Sequence, residues 1–250
     1  MTPVYSVIIP AYNEEMLLPR TLAMLKRAMD RMEPAGEVIV VDNNSNDRTA
    51  HIARDHGARV VTEAKNQISL ARNAGARAAL GEYFIFLDAD TLPSAALLAA
   101  ALTRLLSGRC AGGGALIRFS EDGGTSPRLA INPPVTVAHT LTPAFSHLLA
   151  WLGICGGSFI FCSRRAFEAV GGFNESVYAA EDVLLSRQLR KWGRRNGQSF
   201  EITTEIAIRS SDRKLRWHSP LKLSLVLLLF AFFPFAIRSR RLCRFWYERP

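Results

Sequence analysis

Four short apolar runs, each followed by a helical pattern, set the strongest limit on how this chain folds. Residues 4–9 form a continuous, largely β-branched run closed by Pro10, and residues 37–41, 59–62 and 83–87 repeat the theme. Runs without strict apolar–polar alternation read as strands covered on both faces, the condition of a parallel sheet. Between them the period changes. Leu18, Leu22, Leu25, Met29 and Met32 recur at three- and four-residue steps within residues 14–32, one apolar stripe that Pro34-Ala35-Gly36 stops. Asp47 is placed to cap a second helix running through His56 to Gly57, and residues 68–80 carry a third. The β-α-β-α-β-α-β series predicts an α/β fold, an open and mostly parallel sheet with helices on both faces.

Composition narrows the class and charge then needs to be located. The 250 residues are 48% hydrophobic and 21% charged, which argues against a disordered, collagen-like or multi-span membrane chain. The net charge of +9 invites a nucleic-acid reading. It is unevenly spread: residues 187–250 hold fifteen Lys and Arg against four Asp and Glu, so the stretch before them carries two net negative charges. Cys110, Cys155, Cys162 and Cys243 have neither CxxC spacing nor a zinc-spaced His partner, which points to a reducing compartment. Met1-Thr2-Pro3 runs straight into the first strand with no basic n-region, so the expected location is cytoplasmic.

Ligands of open parallel sheets bind beyond the carboxyl ends of the strands. Here those ends read Pro10-Ala11-Tyr12-Asn13-Glu14, then Asp42-Asn43-Asn44, then Asp88-Ala89-Asp90. For the second cluster, a turn and a helix cap account for the residues as well as a binding site does. Asp88 and Asp90 are harder to dismiss. Carboxylates at i and i+2 of an extended chain point to one side, and each raises the other's pKa unless a cation or donors compensate. Mg²⁺ or Mn²⁺ suits such ligands, with substrate phosphates and water completing its coordination. A third acidic site, Glu181-Asp182, precedes Leu185, Leu189 and Trp192 at helical spacing, with Gly193 as the expected stop. First-turn carboxylates are favoured by the helix dipole, and one held there ionised also meets the needs of a general base. Between these sites the pattern predicts a helix over 94–107, a strand over 112–119, a loop over 121–134, a helix over 135–152, a strand over 158–162 and a short helix over 163–170.

Taken together the motifs resemble a known family. Ser6-Val7-Ile8-Ile9-Pro10-Ala11-Tyr12-Asn13-Glu14-Glu15, Val40-Val41-Asp42-Asn43-Asn44-Ser45-Asn46-Asp47, Ala71-Arg72-Asn73-Ala74-Gly75, Asp88-Ala89-Asp90, and Gly171-Gly172-Phe173-Asn174-Glu175 with Glu181-Asp182 are similar, in order and spacing, to the family 2 glycosyltransferases of GT-A fold. The resemblance covers residues 4–192. It implies inverting, metal-dependent transfer of a sugar from a nucleotide diphosphate to an acceptor hydroxyl of a saccharide or lipid-linked molecule. By similarity Pro10, Ala11, Tyr12 and Glu14 line the nucleoside pocket, Asp42 lies near the base, and Arg72 helps hold the donor. The same likeness gives Asp88, Ala89 and Asp90 to the donor, with Asp90, and Asp88 beside it, facing the divalent cation. Asp182 takes the acceptor proton, supported by Glu181. Many relatives carry two aspartates where this chain has Asp42-Asn43, so UDP, GDP and dTDP donors all stay open.

The basic excess abuts an apolar run. Residues 223–237 are almost all apolar, flanked by Lys222 and by Arg238, Arg240 and Arg241, and interrupted by Pro234. Fifteen helical residues span about 22 Å, short of a ~30 Å hydrocarbon core. This reads as an interfacial segment anchored by Trp246 and Tyr247 on the cytoplasmic face of a membrane; the alternative is a helix packed on the body or on a second subunit. The division expected is a GT-A domain over 1–215 and a basic, apolar helical segment over 216–250. Competing readings are a sugar-nucleotide nucleotidyltransferase, whose Gly-rich phosphate loop is missing after the first strand, and a non-catalytic nucleotide-sugar-binding module. A nucleic-acid module predicts basic and aromatic residues interleaved on the sheet, which this chain does not have.

Overall fold

The computed structural model describes residues 2–120, 157–211, 213, 233–243 and 247. Its first half is the series expected: β1 (Tyr5–Ala11), α1 (Leu18–Met29), β2 (Gly36–Asp42), α2 (Thr49–Asp55), β3 (Arg59–Thr62), α3 (Ile68–Ala78) and β4 (Tyr83–Leu87). The four strands pair in the order β3-β2-β1-β4, all parallel, with Val7 opposite both Val38 and Ile85. Adjacent residues of β1 face opposite layers. Val7 and Ile9 pack with Leu18, Leu22 and Leu25 of α1, whereas Ile8 packs with Ala71 and Ala74 of α3. Each such fully buried side chain contributes about 1.5–3 kcal/mol, which is why an unbroken apolar run is needed.

The second half extends the sheet by a different route. After β5 (Thr91–Leu92) and α4 (Ala95–Leu106) come β6 (Cys110–Ser120), β7 (Phe159–Ser163), α5 (Arg164–Ala169), α6 (Glu181–Arg195) and β8 (Ser199–Ser211). The full order is β3-β2-β1-β4-β7-β6-β8-β5, with β7 antiparallel to both β4 and β6. Helices α1 and α4 cover one face, and α3, α5 and α6 the other. Beneath α5, Phe86 meets Phe167 at 5.3 Å and Phe173 at 4.9 Å between ring centroids, edge-on to the latter.

Several boundaries differ from the sequence pattern for definable reasons. Helix α1 begins at Leu18 rather than at residue 14; the amides of Glu14 and Glu15 donate to Thr49 Oγ1 at 2.8 Å and Asp47 Oδ2 at 3.1 Å and tie the stretch before it to the segment after β2. Helix α6 runs through Gly193 to Arg195; an added Cβ at Gly193 would lie 2.9 Å from the Gln198 carbonyl, and the chain turns at Gly197, φ +68°. Gly193 is thus a point of close approach and the stop lies beyond it. Strand β8 was not expected, although Phe200, Ile202, Ile206 and Ile208 alternate, because charged neighbours make the stretch look solvated. The loop over 121–134, the helix over 135–152 and the division at residue 215 fall outside the described residues.

Strands β6 and β8 meet most tightly at Gly113, where an added Cβ would clash with the Glu201 carbonyl oxygen and come within 2.6 Å of Phe161. Gly113→Ala therefore forces backbone apart and should destabilise the protein by about 3 kcal/mol, read from the urea unfolding midpoint.

Candidate active site

Parallel pairing aligns the carboxyl ends of β1, β2 and β4, so the polar residues that follow them share one edge. Pro10 and Ala11 end β1, and Tyr12 leads into Asn13, held at φ +52° with its side-chain carbonyl oxygen accepting the Asn46 amide at 2.9 Å. Glu14 is buried. Asp42 ends β2 and accepts the Ser45 amide at 3.1 Å. Asp88, Ala89 and Asp90 follow β4; the Ala89 carbonyl takes the Thr21 hydroxyl at 2.7 Å, and Asp90 is 7% exposed.

The centre of this edge is Arg72, 1% exposed on the inner face of α3. Its Nη1 donates to Glu181 Oε1 at 2.7 Å, and its Nη2 donates to Asp88 Oδ1 at 2.9 Å and to the Gly157 carbonyl at 3.0 Å. Its guanidinium carbon lies 5.1 Å from the centre of the Phe173 ring. One cation therefore ties the end of β4 to the start of α6. Burial alone would favour losing the Arg72 proton, but the Asp88 and Glu181 charges reverse that and hold it firmly protonated. Gly157 is small because it must be: an added Cβ would lie 2.9 Å from Arg72 Nη2 and 3.3 Å from Asp182 Oδ2.

Asp182 occupies the first turn of α6, launched from Ala180, whose φ of +58° is strained for a residue with a Cβ. Its carboxyl, normally at 3.8, is pushed up to about 7 by removal from water and by the Glu181 charge, against the opposing pull of Arg72 and the Val183 amide. Its proton affinity is thereby drawn into the neutral range.

The other motif residues build the frame. Asn73 donates to the Phe173 carbonyl and to Glu175 Oε1, both at 2.9 Å, and accepts the Phe173 amide at 3.0 Å, so the Ala71–Gly75 motif shapes the Gly171–Glu175 motif. Gln67 donates to the carbonyls of Glu175 at 2.7 Å and Val177 at 2.9 Å, extending the same support. Asn43 is fully engaged with backbone: its amide nitrogen donates to the Glu63 and Lys65 carbonyls at 3.1 and 2.7 Å, and its oxygen accepts the Gln67 amide at 2.9 Å. The departure from two aspartates thus falls on a framework position.

Two contributors come from the chain's last quarter. Arg213 Nη2 bridges Glu14 Oε1 and Oε2 at 2.8 and 2.9 Å and stands 3.8 Å from Asp90 Oδ2. Tyr247, expected as an interfacial anchor, packs on the body instead: its hydroxyl donates to the Tyr178 carbonyl at 3.0 Å, while the Tyr178 amide donates to the Ile237 carbonyl at 2.7 Å. Residues 234–238 form a short 3-10 turn; Trp246 and residues 214–232 lie outside the described residues. Among the described residues no helix is long and apolar enough to cross a membrane. In the sequence Arg213 belongs to the run Arg209-Ser210-Ser211-Asp212-Arg213-Lys214, whose cations read either as holders of a donor diphosphate or as a solvated face; its pairing with Glu14 and the role of Gln67 are not legible there, since both act on partners distant in the chain.

Arg72→Met leaves buried carboxylates facing one another and should cost about 3–5 kcal/mol of stability at pH 8. Because those carboxyls then take up protons, the loss in a urea titration should shrink at pH 5. Asn43→Asp sets a carboxylate oxygen against two carbonyls and should cost about 1–3 kcal/mol. The rank order of thermal shifts with UDP, GDP and dTDP should stay unchanged in that variant.

Known proteins resemble the chain in both sequence and shape. The chain is 46% identical over 92 residues to 4,4'-diaponeurosporenoate glycosyltransferase of Staphylococcus haemolyticus, a match covering 34% of this chain and 24% of that protein, so it spans well under half of that relative. The mannosyltransferase PcManGT of Pyrobaculum calidifontis, solved with GDP-Man and Mn²⁺, superposes with a TM-score of 0.67 at 22% identity, over 99% of this chain and 70% of that one. S. aureus TarS 1-349 with UDP-GlcNAc gives 0.59 at 22% identity, over 84% and 58% of the two chains. At such identities these two structures speak for the fold. The model of glycosyl transferase family 2 matches residues 6–171, the greater part of the sequence, and the chain belongs to that family.

Proposed function

We propose that this glycosyltransferase moves a sugar from a nucleotide diphosphate to an acceptor hydroxyl by a single, inverting displacement. The observation that carries the reading is the Arg72 knot, which sets Asp182 beside Asp88 at the ligand-binding edge of the sheet. Pro10, Ala11, Tyr12, Glu14 and Asp42 form the nucleoside side, with Ala89 and Asp90 toward the diphosphate. Arg72 serves the donor through Asp88, which it holds at 2.9 Å and which would face the ribose or a metal-bound water. Asp182 takes the acceptor proton as the acceptor oxygen bonds to the anomeric carbon; the bond from that carbon to the phosphate breaks on the opposite face, and the nucleoside diphosphate leaves. Glu181, paired with Arg72, supports that base from the same helical turn.

The residues fit a divalent cation. Asp90 with Asp88 supplies hard oxygen ligands suited to Mn²⁺ or Mg²⁺, and the 3.8 Å approach of Arg213 marks Asp90 as a place where positive charge already settles. Bound there with the donor, the ion would neutralise charge developing on the departing diphosphate. The solved neighbours with GDP-Man and UDP-GlcNAc favour a nucleotide-sugar donor, while the sugar and the nucleotide depend on residues 120–157, mostly outside the described set. A saccharide or lipid-linked acceptor, with residues 220–250 resting on a membrane surface, suits the basic and apolar tail, although the engagement of Tyr247 and Ile237 with Tyr178 equally favours a tail docked on the body.

Transfer needs the ionised form of Asp182, so the rate should rise with pH through about 7 and level off above it. Asp182→Asn should lower turnover by ~10²–10⁴ and remove that limb. It should also change stability with a defined sign. A folded pKa near 7 against an ordinary 3.8 means the wild-type group favours the fold at low pH and loses that contribution as pH rises through 7, a loss the Asn variant escapes. Full turnover by Asp182→Asn would exclude it as the base.

A further inference from the structure

We infer that Arg213 is a built-in counter-cation: it fills the cation position between Glu14 and Asp90 until metal and nucleotide arrive together, and it then passes to the donor's phosphates. This rests on the reading of Asp90 as the cation's ligand. Glu14 and Asp90 are each 7% exposed. Two carboxylates so far from water are costly to hold ionised without a positive partner nearby. One atom reaches both: Arg213 Nη2 makes two contacts to Glu14, at 2.8 and 2.9 Å, and the 3.8 Å approach to Asp90. A single nitrogen placed between two carboxylates balances them much as a monatomic cation would.

The backbone that brings Arg213 there is fastened to the Asp88–Asp90 turn. Strand β8 pairs with β5 through Thr91 and Ser210, whose hydroxyls meet at 3.1 Å. The Ser211 amide donates to the Asp90 carbonyl at 3.2 Å, and the Arg213 amide donates to Ser211 Oγ at 3.2 Å. The arginine is therefore delivered by the element that borders the aspartate, so its placement is part of the fold.

A consequence follows for the order of binding. A bare divalent ion must displace a guanidinium that holds two charge-assisted hydrogen bonds, and it brings no anion in exchange. A nucleotide diphosphate brought in with the ion offers Arg213 phosphate oxygens in exchange. Metal and nucleotide should accordingly bind with positive coupling, and by linkage the coupling is the same measured from either side.

The test measures Mn²⁺ binding by electron paramagnetic resonance on the full chain, with Mn²⁺ alone and with Mn²⁺ plus UDP or GDP. In the wild type the nucleotide that binds should tighten Mn²⁺ by about tenfold or more, and Arg213→Gln should tighten Mn²⁺ alone by a similar factor while shrinking the coupling. Mn²⁺ should raise the melting temperature of Arg213→Gln by several degrees and leave the nucleotide-free wild type nearly unmoved. Equal affinity of both proteins for Mn²⁺ alone would overturn the proposal. If Arg213→Gln lacks native near-ultraviolet dichroism, Arg213→Met is decisive: it keeps an apolar stem and removes the charge, so it should bind Mn²⁺ alone more tightly than wild type, and equality would again overturn the proposal. Asp90→Asn separates the two levels, because Mn²⁺ binding with nucleotide that survives this change removes Asp90 as the ligand, whatever Arg213 does.

Discussion

A single buried guanidinium holds together the edge proposed as the active site. Arg72 is planar, permanently charged and able to donate in several directions, and its fork closes on Glu181, Asp88 and the Gly157 carbonyl. Those three partners come from three separate stretches of chain. Without the positive charge, the start of α6 and the end of β4 would present carboxylates to one another in a poorly hydrated space. With it, the acidic groups can be brought close, and Asp182 sits near enough to feel the balance. Its raised proton affinity is the residue of that arrangement: burial and Glu181 raise it, and Arg72 restrains it.

Around this knot the rest of the site is scaffolding, directed by side-chain amides. Asn73 shapes the turn at Phe173, Gln67 continues along it to Val177, and Asn43 locks residues 63–67 against β2. Each satisfies several backbone groups at once, which a carboxylate in the same place could not do, since it accepts but does not donate. The positively strained Ala180 then aims α6 so that its first-turn acids face inward. Specific hydrogen bonds thus decide where the chemistry stands, while the apolar layers on both faces of the sheet decide only that a sheet exists.

The sequence makes the first half of the fold readable because local rules suffice there. The runs in β1, β2, β3 and β4 alternate with helical stripes, and parallel pairing with handed crossovers leaves little freedom in the order of these strands. The antiparallel insertion of β7 and the long pairing of β6 with β8 depend on contacts between distant stretches, and glycines such as Gly113 show their reason only once Glu201 is beside them. The same limit applies to the site. Acidic residues at strand ends stand out in the sequence, and Arg213 stands out as one cation of a basic run, but its partner Glu14 lies 199 residues away and no local pattern joins the two. Net charge misleads in a related way: the excess of cations in the last quarter suggests a surface for polyanions, yet Arg213 is spent on carboxylates of the body.

The most direct measurement is a structure of the chain determined with Mn²⁺ and a non-transferable analogue of the nucleotide sugar that it binds. The diphosphate should lie beyond the ends of β1 and β4, the ion on Asp90, and Asp182 on the face of the sugar opposite the leaving phosphate. A diphosphate seated away from that edge, or Asp182 on the same face as the leaving group, would contradict that arrangement.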